Sequence, residues 1–238
     1  MKGLSSILDI VYPRVCPVCS KTLSGEKIIC DVCNDRLVYA GKNICVHCGK
    51  ILKDRTTTMC KVCATSETYF EEGRSVFYYN DAIKNALMDF KYHNRRENAK
   101  FFADSIMQNL SDKLSAWNID LIVPVPVHKK KLIERGYNQA EILAKELCKL
   151  SKCSCADVLL RVEKTKPQKE LTRLDRLKNL QKAILINDKK KDIIKGKNVL
   201  IVDDIYTTGA TVSCSASVLL EVGAAHVFFI AVATGSGS

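Results

Sequence analysis

The chain has 238 residues, a length that corresponds to one large domain or to a full domain with a small appendage. Hydrophobic residues make up 47% and charged residues 26%, with only 11 Gly and 5 Pro, which excludes a disordered chain and a fibrous repeat. No stretch approaches the ~18 unbroken apolar residues that a membrane helix needs, and residues 1–12 carry Asp9 within their apolar run. We therefore predict a folded, cytoplasmic protein with no membrane insertion.

Positive charge is concentrated in one region of the sequence. Lys and Arg total 37 against 26 acidic residues, a net charge of +11. Residues 128–197 hold 20 of these bases and 9 of these acids, so this segment alone accounts for the whole excess. A regional positive field suits a phosphate-rich ligand or a nucleic acid, and a solvated basic face is the alternative.

Eight of the 12 cysteines form four Cys-x-x-Cys pairs near the N-terminus: Cys16 and Cys19, Cys30 and Cys33, Cys45 and Cys48, Cys60 and Cys63. Two such pairs supply the four thiolates of a tetrahedral zinc site, so four pairs predict two zinc sites, structural because an all-thiolate site is closed. The short separations favour neighbouring pairs sharing a metal, while an interleaved arrangement stays open. A thioredoxin-like redox pair or an iron–sulfur cluster fits this spacing less well.

The sequence around these pairs indicates a small metal-stabilised unit. Residues 1–66 are too poor in large apolar side chains to form a core without metal. We predict a zinc module over residues 1–66 and a second domain over residues 67–238. His47 is interpreted as a bystander, and the remaining four cysteines receive no role: Cys148, Cys153, Cys155 and Cys214.

Strand and helix patterns alternate through the second domain. Helices are predicted from a cap at Asn80-Asp81, at 98–114, at 139–150 and at 210–222; strands are predicted at 75–79, 119–123, 158–160, 183–186, 198–202 and 226–233. Alternation of this kind predicts an α/β fold, a parallel sheet with helices on both faces. Ligands of such sheets bind at the carboxyl ends of the strands.

One strand end carries a concentration of polar residues. The apolar run 199–202 leads into Asp203 and Asp204, and a turn with Thr207, Thr208 and Gly209 then opens a helix with Ala210 and Thr211. Free amides at a helix start hold phosphate, and paired carboxylates accept hydrogen bonds from sugar hydroxyls and help to seat Mg2+. A structural interpretation, an Asp cap before a Thr-rich first turn, accounts for the turn but not for the doubled carboxylate.

This segment resembles the signature for 5-phosphoribosyl-1-diphosphate (PRPP) in type I phosphoribosyltransferases. The chain as a whole resembles the ComF family of competence proteins, with a double zinc ribbon followed by a phosphoribosyltransferase-like domain. The likeness extends over residues 16–233 in motifs of the same order: Phe90-Lys91-Tyr92, residues 123–128, residues 135–139, and the spaced set Arg161, Thr165, Gln168, Leu171, Arg176 and Asn179.

The resemblance implies roles for individual residues. Asp203 and Asp204 would bind the ribose hydroxyls, and residues 207–211 the 5′-phosphate. The segment 124–131 would be the diphosphate loop, and residues 161–179 a loop that closes over PRPP. Further contributors are Pro126, His128, Lys129, Lys130, Lys131 and Arg135 around the diphosphate, with Lys91 in the same pocket. Mg2+ would accompany PRPP.

The family further implies a function in natural competence, with handling of imported single-stranded DNA and a helicase-like ATPase as partner. Transferase activity is a possibility in this picture, since catalysis by such enzymes is mainly electrostatic and positional. A metabolic phosphoribosyltransferase acting on a nucleobase or amine, with zinc only structural, is the alternative. A scaffold with a vestigial PRPP site is the third interpretation.

Overall fold

The computed structural model describes residues 14–25, 27–162 and 183–237. In the N-terminal part, short helices α1 (Asp31–Asn34) and α2 (Lys61–Thr65) flank strand β1 (Ile51–Leu52). Cys30 and Cys60 are the N-cap residues of α1 and α2. The pair Cys30 and Cys33 therefore spans the start of α1, and the pair Cys60 and Cys63 spans the start of α2. Of the family motif residues, Thr165, Gln168, Leu171, Arg176 and Asn179 lie outside the described residues.

The second part begins with a strand and two helices and continues as an alternating series. Its elements are β2 (Glu72–Tyr78), α3 (Asp81–Tyr92), α4 (Asn98–Trp117), β3 (Leu121–Pro124), α5 (Lys129–Arg135), α6 (Gln139–Ser151), β4 (Ser154–Cys155), β5 (Leu159–Arg161), β6 (Ile184–Ile186), a 3-10 helix (Asp188–Ile194), β7 (Asn198–Tyr206), α7 (Ala210–Glu221), β8 (His226–Thr234) and β9 (Ser236–Gly237). Among the described residues, no helix combines the length and the hydropathy that crossing a membrane requires.

Five strands form the predicted parallel sheet, in the order β2-β8-β7-β3-β4. Apolar clusters lie on both faces, one built around Leu200 and Val202 and the other around Val199 and Ile201. Side chains alternate along a strand, so this central strand supplies both clusters. The predicted α/β fold with a parallel sheet is confirmed. A separate antiparallel pair, β5 with β6, brackets residues 163–182.

Predicted helix starts agree with the structure where a capping side chain is present. Asn80 accepts a hydrogen bond from Ile83 N at 3.1 Å and precedes α3. Asn138 accepts one from Ala140 N at 3.0 Å and precedes α6. These bonds satisfy donors that the first helical turn leaves unpaired, so both starts were readable from local sequence.

Strand β7 is longer than predicted, and this changes the setting of the two aspartates. It continues to Tyr206, because β8 pairs with it as far as Tyr206 opposite Thr234. On its other side β3 ends at Pro124, opposite Val202. Asp203 and Asp204 therefore lie within the strand, at the point where only one neighbouring strand remains.

The segment predicted as a diphosphate loop is also partly helical. Residues 125–128 form a loop, and α5 begins at Lys129 with His128 Nδ1 accepting a hydrogen bond from Lys130 N at 3.2 Å. Gly136 ends the helix in the left-handed region at φ +76°. A seven-residue helix rich in lysine lacks the apolar periodicity that sequence analysis requires, which explains why it was missed.

Candidate PRPP site and zinc clusters

A cavity of about 380 Å3 opens at the carboxyl ends of β3 and β7. Its walls come from four parts of the chain: the end of α3, the segment 125–139, the end of β5, and β7 with the start of α7. The lining residues predicted from sequence are Lys91, Pro126, His128, Lys131, Arg135, Arg161, Asp203, Asp204 and Thr211. The structure thus brings together residues that are up to 120 positions apart.

The remaining predicted residues adjoin this cavity without lining it. Thr207, Thr208, Gly209 and Ala210 form the turn and first helical residue between β7 and Thr211. Lys129 and Lys130 are exposed in the first turn of α5. These two lysines place positive charge near the cavity but do not form part of its wall.

The two aspartates have different surroundings. Asp203 is partly exposed, and its Oδ1 accepts a hydrogen bond from Asp204 N at 2.8 Å. Burial, followed by the charge of Asp204, raises the pKa of Asp203 well above its usual value. A carboxyl in this position gains from any cation or donor that a ligand brings.

Asp204 is buried and forms an ion pair with Lys91, a residue of the last turn of α3. The oxygen of Asp204 that contacts Lys91 Nζ is Oδ2. A buried carboxylate with one counter-charge and an unused lone pair can accept a hydrogen bond from a ligand hydroxyl. Lys91 therefore lines the cavity and contacts Asp204 directly.

Arg135 is held in place at the cavity wall by two neighbours. Its guanidinium lies 4.8 Å from the ring centroid of Tyr92, a cation–π distance, and its Nη1 donates to Gln139 Oε1. Tyr92 and Gln139 line the cavity and had received no role of their own from the sequence. Their membership in the motifs at residues 90–92 and 135–139 was the available signal.

The start of α7 supplies the other face of the site. Gly209 is the N-cap of this helix at φ +79°, and Thr208 Oγ1 accepts a hydrogen bond from Ala210 N at 3.4 Å. The positive end of the helix and its free N–H groups face the turn 207–209. Together with the cationic side chains across the cavity, this turn favours an anionic ligand.

The eight paired cysteines form two clusters, and neighbouring pairs share each one. The sulfur atoms of Cys16, Cys19, Cys30 and Cys33 lie within 4.8 Å of one another, as do those of Cys45, Cys48, Cys60 and Cys63. Tetrahedral zinc with Zn–S bonds of about 2.3 Å separates its sulfurs by about 3.8 Å. The Sγ atoms of Cys19 and Cys30 are 3.8 Å apart and those of Cys48 and Cys60 are 3.6 Å apart. Both clusters therefore fit structural zinc.

His47 lies beside the second cluster without joining it. Its Nε2 is 2.6 Å from Thr68 Oγ1, and its ring stacks on Phe70 with centroids 4.7 Å apart. The prediction that His47 is a bystander agrees with these contacts.

Comparisons with known proteins agree with this two-part organisation. A family profile described as a double zinc ribbon domain matches residues 7–72, and one described as a phosphoribosyl transferase domain matches residues 95–237. Competence protein ComFC of Bacillus subtilis is 31% identical over 209 residues, which cover 85% of this chain and 82% of that protein. The chain belongs to the ComF family.

Other ComF relatives match over nearly the full length. DNA utilization protein YhgH of Escherichia coli K12 is 26% identical, covering 92% of this chain and 96% of that protein. Competence protein F of Haemophilus influenzae is 26% identical, and the match covers 92% of this chain and 90% of that protein.

Solved structures match more weakly. A glutamine PRPP amidotransferase from B. subtilis gives a TM-score of 0.42 at 17% identity over 60% of this chain. The chain spans 30% of that structure's length. An adenine phosphoribosyltransferase gives a TM-score of 0.39 at 16% identity, covering 62% of this chain and 75% of that one.

The Lys91–Asp204 pair leads to a stability prediction for this ComF protein. We expect Lys91→Met to lower the free energy of unfolding by about 3 kcal/mol, because it leaves a buried carboxylate without its counter-charge. Lys84→Met, an exposed position on the same helix, should change it by less than about 0.5 kcal/mol. Urea denaturation measures both. Equal stability of the two variants would contradict the prediction, and adding Asp204→Asn to Lys91→Met should restore most of the loss.

Proposed function

We propose that this ComF protein binds PRPP with Mg2+ in the cavity at the end of β7. The observation that carries the proposal is the juxtaposition there of Asp203 and Asp204 with a helix start on one side and cationic side chains on the other. A phosphorylated sugar carries hydroxyls for the carboxylates and phosphates for the helix start and the cations. A ligand that lacks either the hydroxyls or the phosphates would leave the carboxylates, or the helix start and the cations, without hydrogen-bond or ionic partners.

In this proposal each part of the cavity wall binds a different part of PRPP. Asp203 and Asp204 accept hydrogen bonds from the ribose hydroxyls, while the turn 207–211 donates backbone and hydroxyl groups to the 5′-phosphate. Lys131, Arg135 and Arg161 neutralise the diphosphate, and Lys129 and Lys130 add to the local field. Bound Mg2+ would supply further charge neutralisation at the diphosphate, with Asp203 and Asp204 as its oxygen ligands or the acceptors of its waters.

Lys91 and His128 act on neighbouring protein groups of the site rather than directly on the ligand. Lys91 supplies the counter-charge to the Asp204 carboxylate through their ion pair. His128 shapes the loop 125–128 by capping α5, and Pro126 lies in the same loop. If the protein transfers the ribosyl group, these residues act by positioning and by stabilising the departing diphosphate, and no protein nucleophile is needed.

Calorimetric titration of the full chain with PRPP in the presence of Mg2+ tests this proposal. We expect saturable binding at one site, with ribose 5-phosphate binding more weakly because it lacks the diphosphate. A diphosphate-release assay across nucleobases and amines then separates binding from turnover. Rapid release with one acceptor would favour the alternative, a metabolic phosphoribosyltransferase. Absence of PRPP binding would remove the proposed site.

Family membership supports a role in natural competence, since two of the relatives are named competence proteins and a third a DNA utilization protein. We propose that this chain acts in the cytoplasm on imported single-stranded DNA, together with a helicase-like competence ATPase. The regional charge excess at residues 128–197 and the exposed lysines of α5 support binding to a polyanion. The zinc module is a second candidate surface for DNA or for the ATPase.

Binding to single-stranded DNA is expected to be strongly salt-dependent and to show little sequence preference. If about four phosphates are contacted, log affinity should fall with log salt at a slope of roughly −3. Lys129→Ala with Lys130→Ala should weaken binding more than Lys189→Ala with Lys191→Ala, a matched exposed pair outside the cavity region. Fluorescence anisotropy with an oligothymidine measures both. PRPP should compete if the surfaces overlap, and absence of binding at low salt would contradict direct DNA handling.

A further inference from the structure

The end of α3 directs two neighbouring side chains to different parts of the cavity. Lys91 contacts the buried Asp204, and its side chain is only 16% exposed. Tyr92, the last residue of the helix, also lines the cavity but is 55% exposed. An aromatic ring therefore lies at the mouth of the proposed PRPP site, between the cavity and the solvent.

The Tyr92 ring has few contacts with the rest of the protein. The Arg135 guanidinium lies over it, 4.8 Å from the ring centroid. Within residues 14–25, 27–162 and 183–237, no second ring or cation lies over Tyr92, and its hydroxyl makes no hydrogen bond. Since more than half of the residue is exposed, the face of the ring opposite Arg135 is available to a ligand.

Tyr137 forms a similar pair with an arginine, and there a structural explanation is sufficient. Arg96 lies 4.5 Å from its ring centroid, but this ring is only 7% exposed and its hydroxyl donates to Phe90 O. Burial of the ring and pairing of the hydroxyl account for Tyr137 as part of the core. Neither feature is present at Tyr92.

The cation behind the Tyr92 ring is itself held in place. Arg135 Nη1 donates to Oε1 of Gln139, a buried residue at the start of α6. The ring is thus fixed by a helix end on its own chain segment and by a tethered guanidinium on one face. A platform that is ordered before its ligand arrives loses little conformational entropy on binding.

Helix α5 places two groups of cations next to this ring. Lys131 and Arg135 are four residues apart, so they lie on one face of the helix, and both line the cavity. Lys129 and Lys130 are exposed and do not line it. The helix has seven residues and is about 10 Å long, so a few nucleotides can extend from its exposed lysines to the ring at its other end.

We propose that Tyr92 is the stacking platform for an unpaired base of single-stranded DNA, with the flanking phosphates on Lys129 and Lys130. This inference rests on the proposed function in DNA handling and assigns it to the mouth of the PRPP cavity. An aromatic ring beside a basic surface binds single strands with little sequence preference, because every base has a π face. Duplex DNA, whose bases are stacked on one another, cannot use the ring in this way.

Fluorescence anisotropy of the full chain with an oligothymidine tests the stack. Tyr92→Leu should weaken binding about tenfold, within the usual contribution of one stacked base, and Tyr92→Phe should bind as the native protein does. The slope of log affinity against log salt should be the same in Tyr92→Leu as in the native protein, because stacking releases no counterions. Unchanged affinity in Tyr92→Leu would overturn the proposal.

An abasic oligonucleotide of the same length separates stacking from charge. It keeps every phosphate but has no bases, so the native protein and Tyr92→Leu should bind it equally. If Tyr92→Leu weakens binding of the abasic strand as much as that of oligothymidine, the residue acts only by orienting Arg135, and the stack is overturned.

Tyr39→Leu is the matched control, since Tyr39 is an exposed tyrosine of the zinc module that packs on Phe77. It should bind oligothymidine as the native protein does. Weaker binding in Tyr39→Leu together with native affinity in Tyr92→Leu would place the base contact on the zinc module and overturn the proposal.

A free nucleobase is the other source of a stacking partner for Tyr92, and competition distinguishes the two. Free thymine, which lacks flanking phosphates, should displace the oligothymidine only at millimolar concentrations, with or without PRPP. Displacement at micromolar concentrations would assign the ring to a small acceptor and overturn the DNA assignment. If the native protein binds no single-stranded DNA at low salt, the proposed DNA function fails and the stack fails with it; native binding that Tyr92→Leu retains in full removes the stack alone.

Discussion

Chelation of zinc is expected to unfold the N-terminal module and to destabilise the sheet domain with it. Structural zinc supplies about 10–16 kcal/mol of folding free energy, comparable to or larger than the ~5–15 kcal/mol that stabilises a whole domain. Both clusters contribute to the cores of the sheet. Cys16 and Cys33 share an apolar cluster with Phe77 and Phe101, and the second cluster lies in the opposite core.

Metal analysis and denaturation together measure this effect. Two clusters predict two zinc ions per chain. Cys45→Ser should lose one zinc and lower the unfolding midpoint sharply, since Cys45 is fully buried. Cys148→Ser, at a partly buried cysteine outside both clusters, is the control and should keep both ions. Metal-free protein that is folded and has free thiols would contradict the prediction.

Replacing both aspartates at the end of β7 is expected to abolish PRPP binding without unfolding the domain. In Asp203→Asn with Asp204→Asn, the site loses both charges that would face the ribose hydroxyls and Mg2+. Loss of hydrogen bonds to charged groups, at about 1.5–3 kcal/mol each, predicts a decrease in affinity of at least about a hundredfold. The domain should stay folded, because Asn is similar in size and relieves the repulsion and burial that raise the pKa of Asp203, while Asp204→Asn leaves Lys91 without its counter-charge at some cost in stability.

Calorimetry on three variants distinguishes this role from a general charge effect. Asp188→Asn with Asp192→Asn removes two exposed carboxylates elsewhere on the domain and should leave PRPP affinity within about twofold, since exposed charges are screened. Thr208→Val removes one hydroxyl next to the helix start and should have an intermediate effect. Native affinity in the double aspartate variant would exclude these carboxylates as the ribose site.

Local features of this protein were readable from sequence because their causes are local. The Cys-x-x-Cys spacing identified the eight cysteines of the two clusters, and a side chain such as Asn80 or Asn138 caps the helix that follows it. That neighbouring pairs share each cluster was decided by the structure. The apolar run 199–202 identified the buried strand, and the polar turn after it identified the site. The resemblance to the ComF family, carried by the motifs around Lys91 and Arg135, implied which other parts of the chain meet there.

The tertiary structure decided how far β7 extends and what its aspartates contact. The strand continues through Asp203 and Asp204 because β8 remains paired with it after β3 has ended, and no property of residues 203–206 alone specifies that register. The Lys91–Asp204 ion pair follows from the packing of α3 against the sheet.

Two further features depend on contacts that the sequence does not encode locally. Tyr206 shares an apolar cluster with Cys48 of the second ribbon and lies against Gly209, and the contact with the ribbon joins segments far apart in the chain. Arg135 is oriented by Tyr92, which lies more than forty residues earlier in the chain. By itself the sequence determined the eight paired cysteines, the order of the longer strands and helices of the second domain, and the identity of the polar turn, since each depends on spacing along the chain. Pairing register and side-chain contacts between distant segments needed the folded structure, because they result from packing the whole core at once.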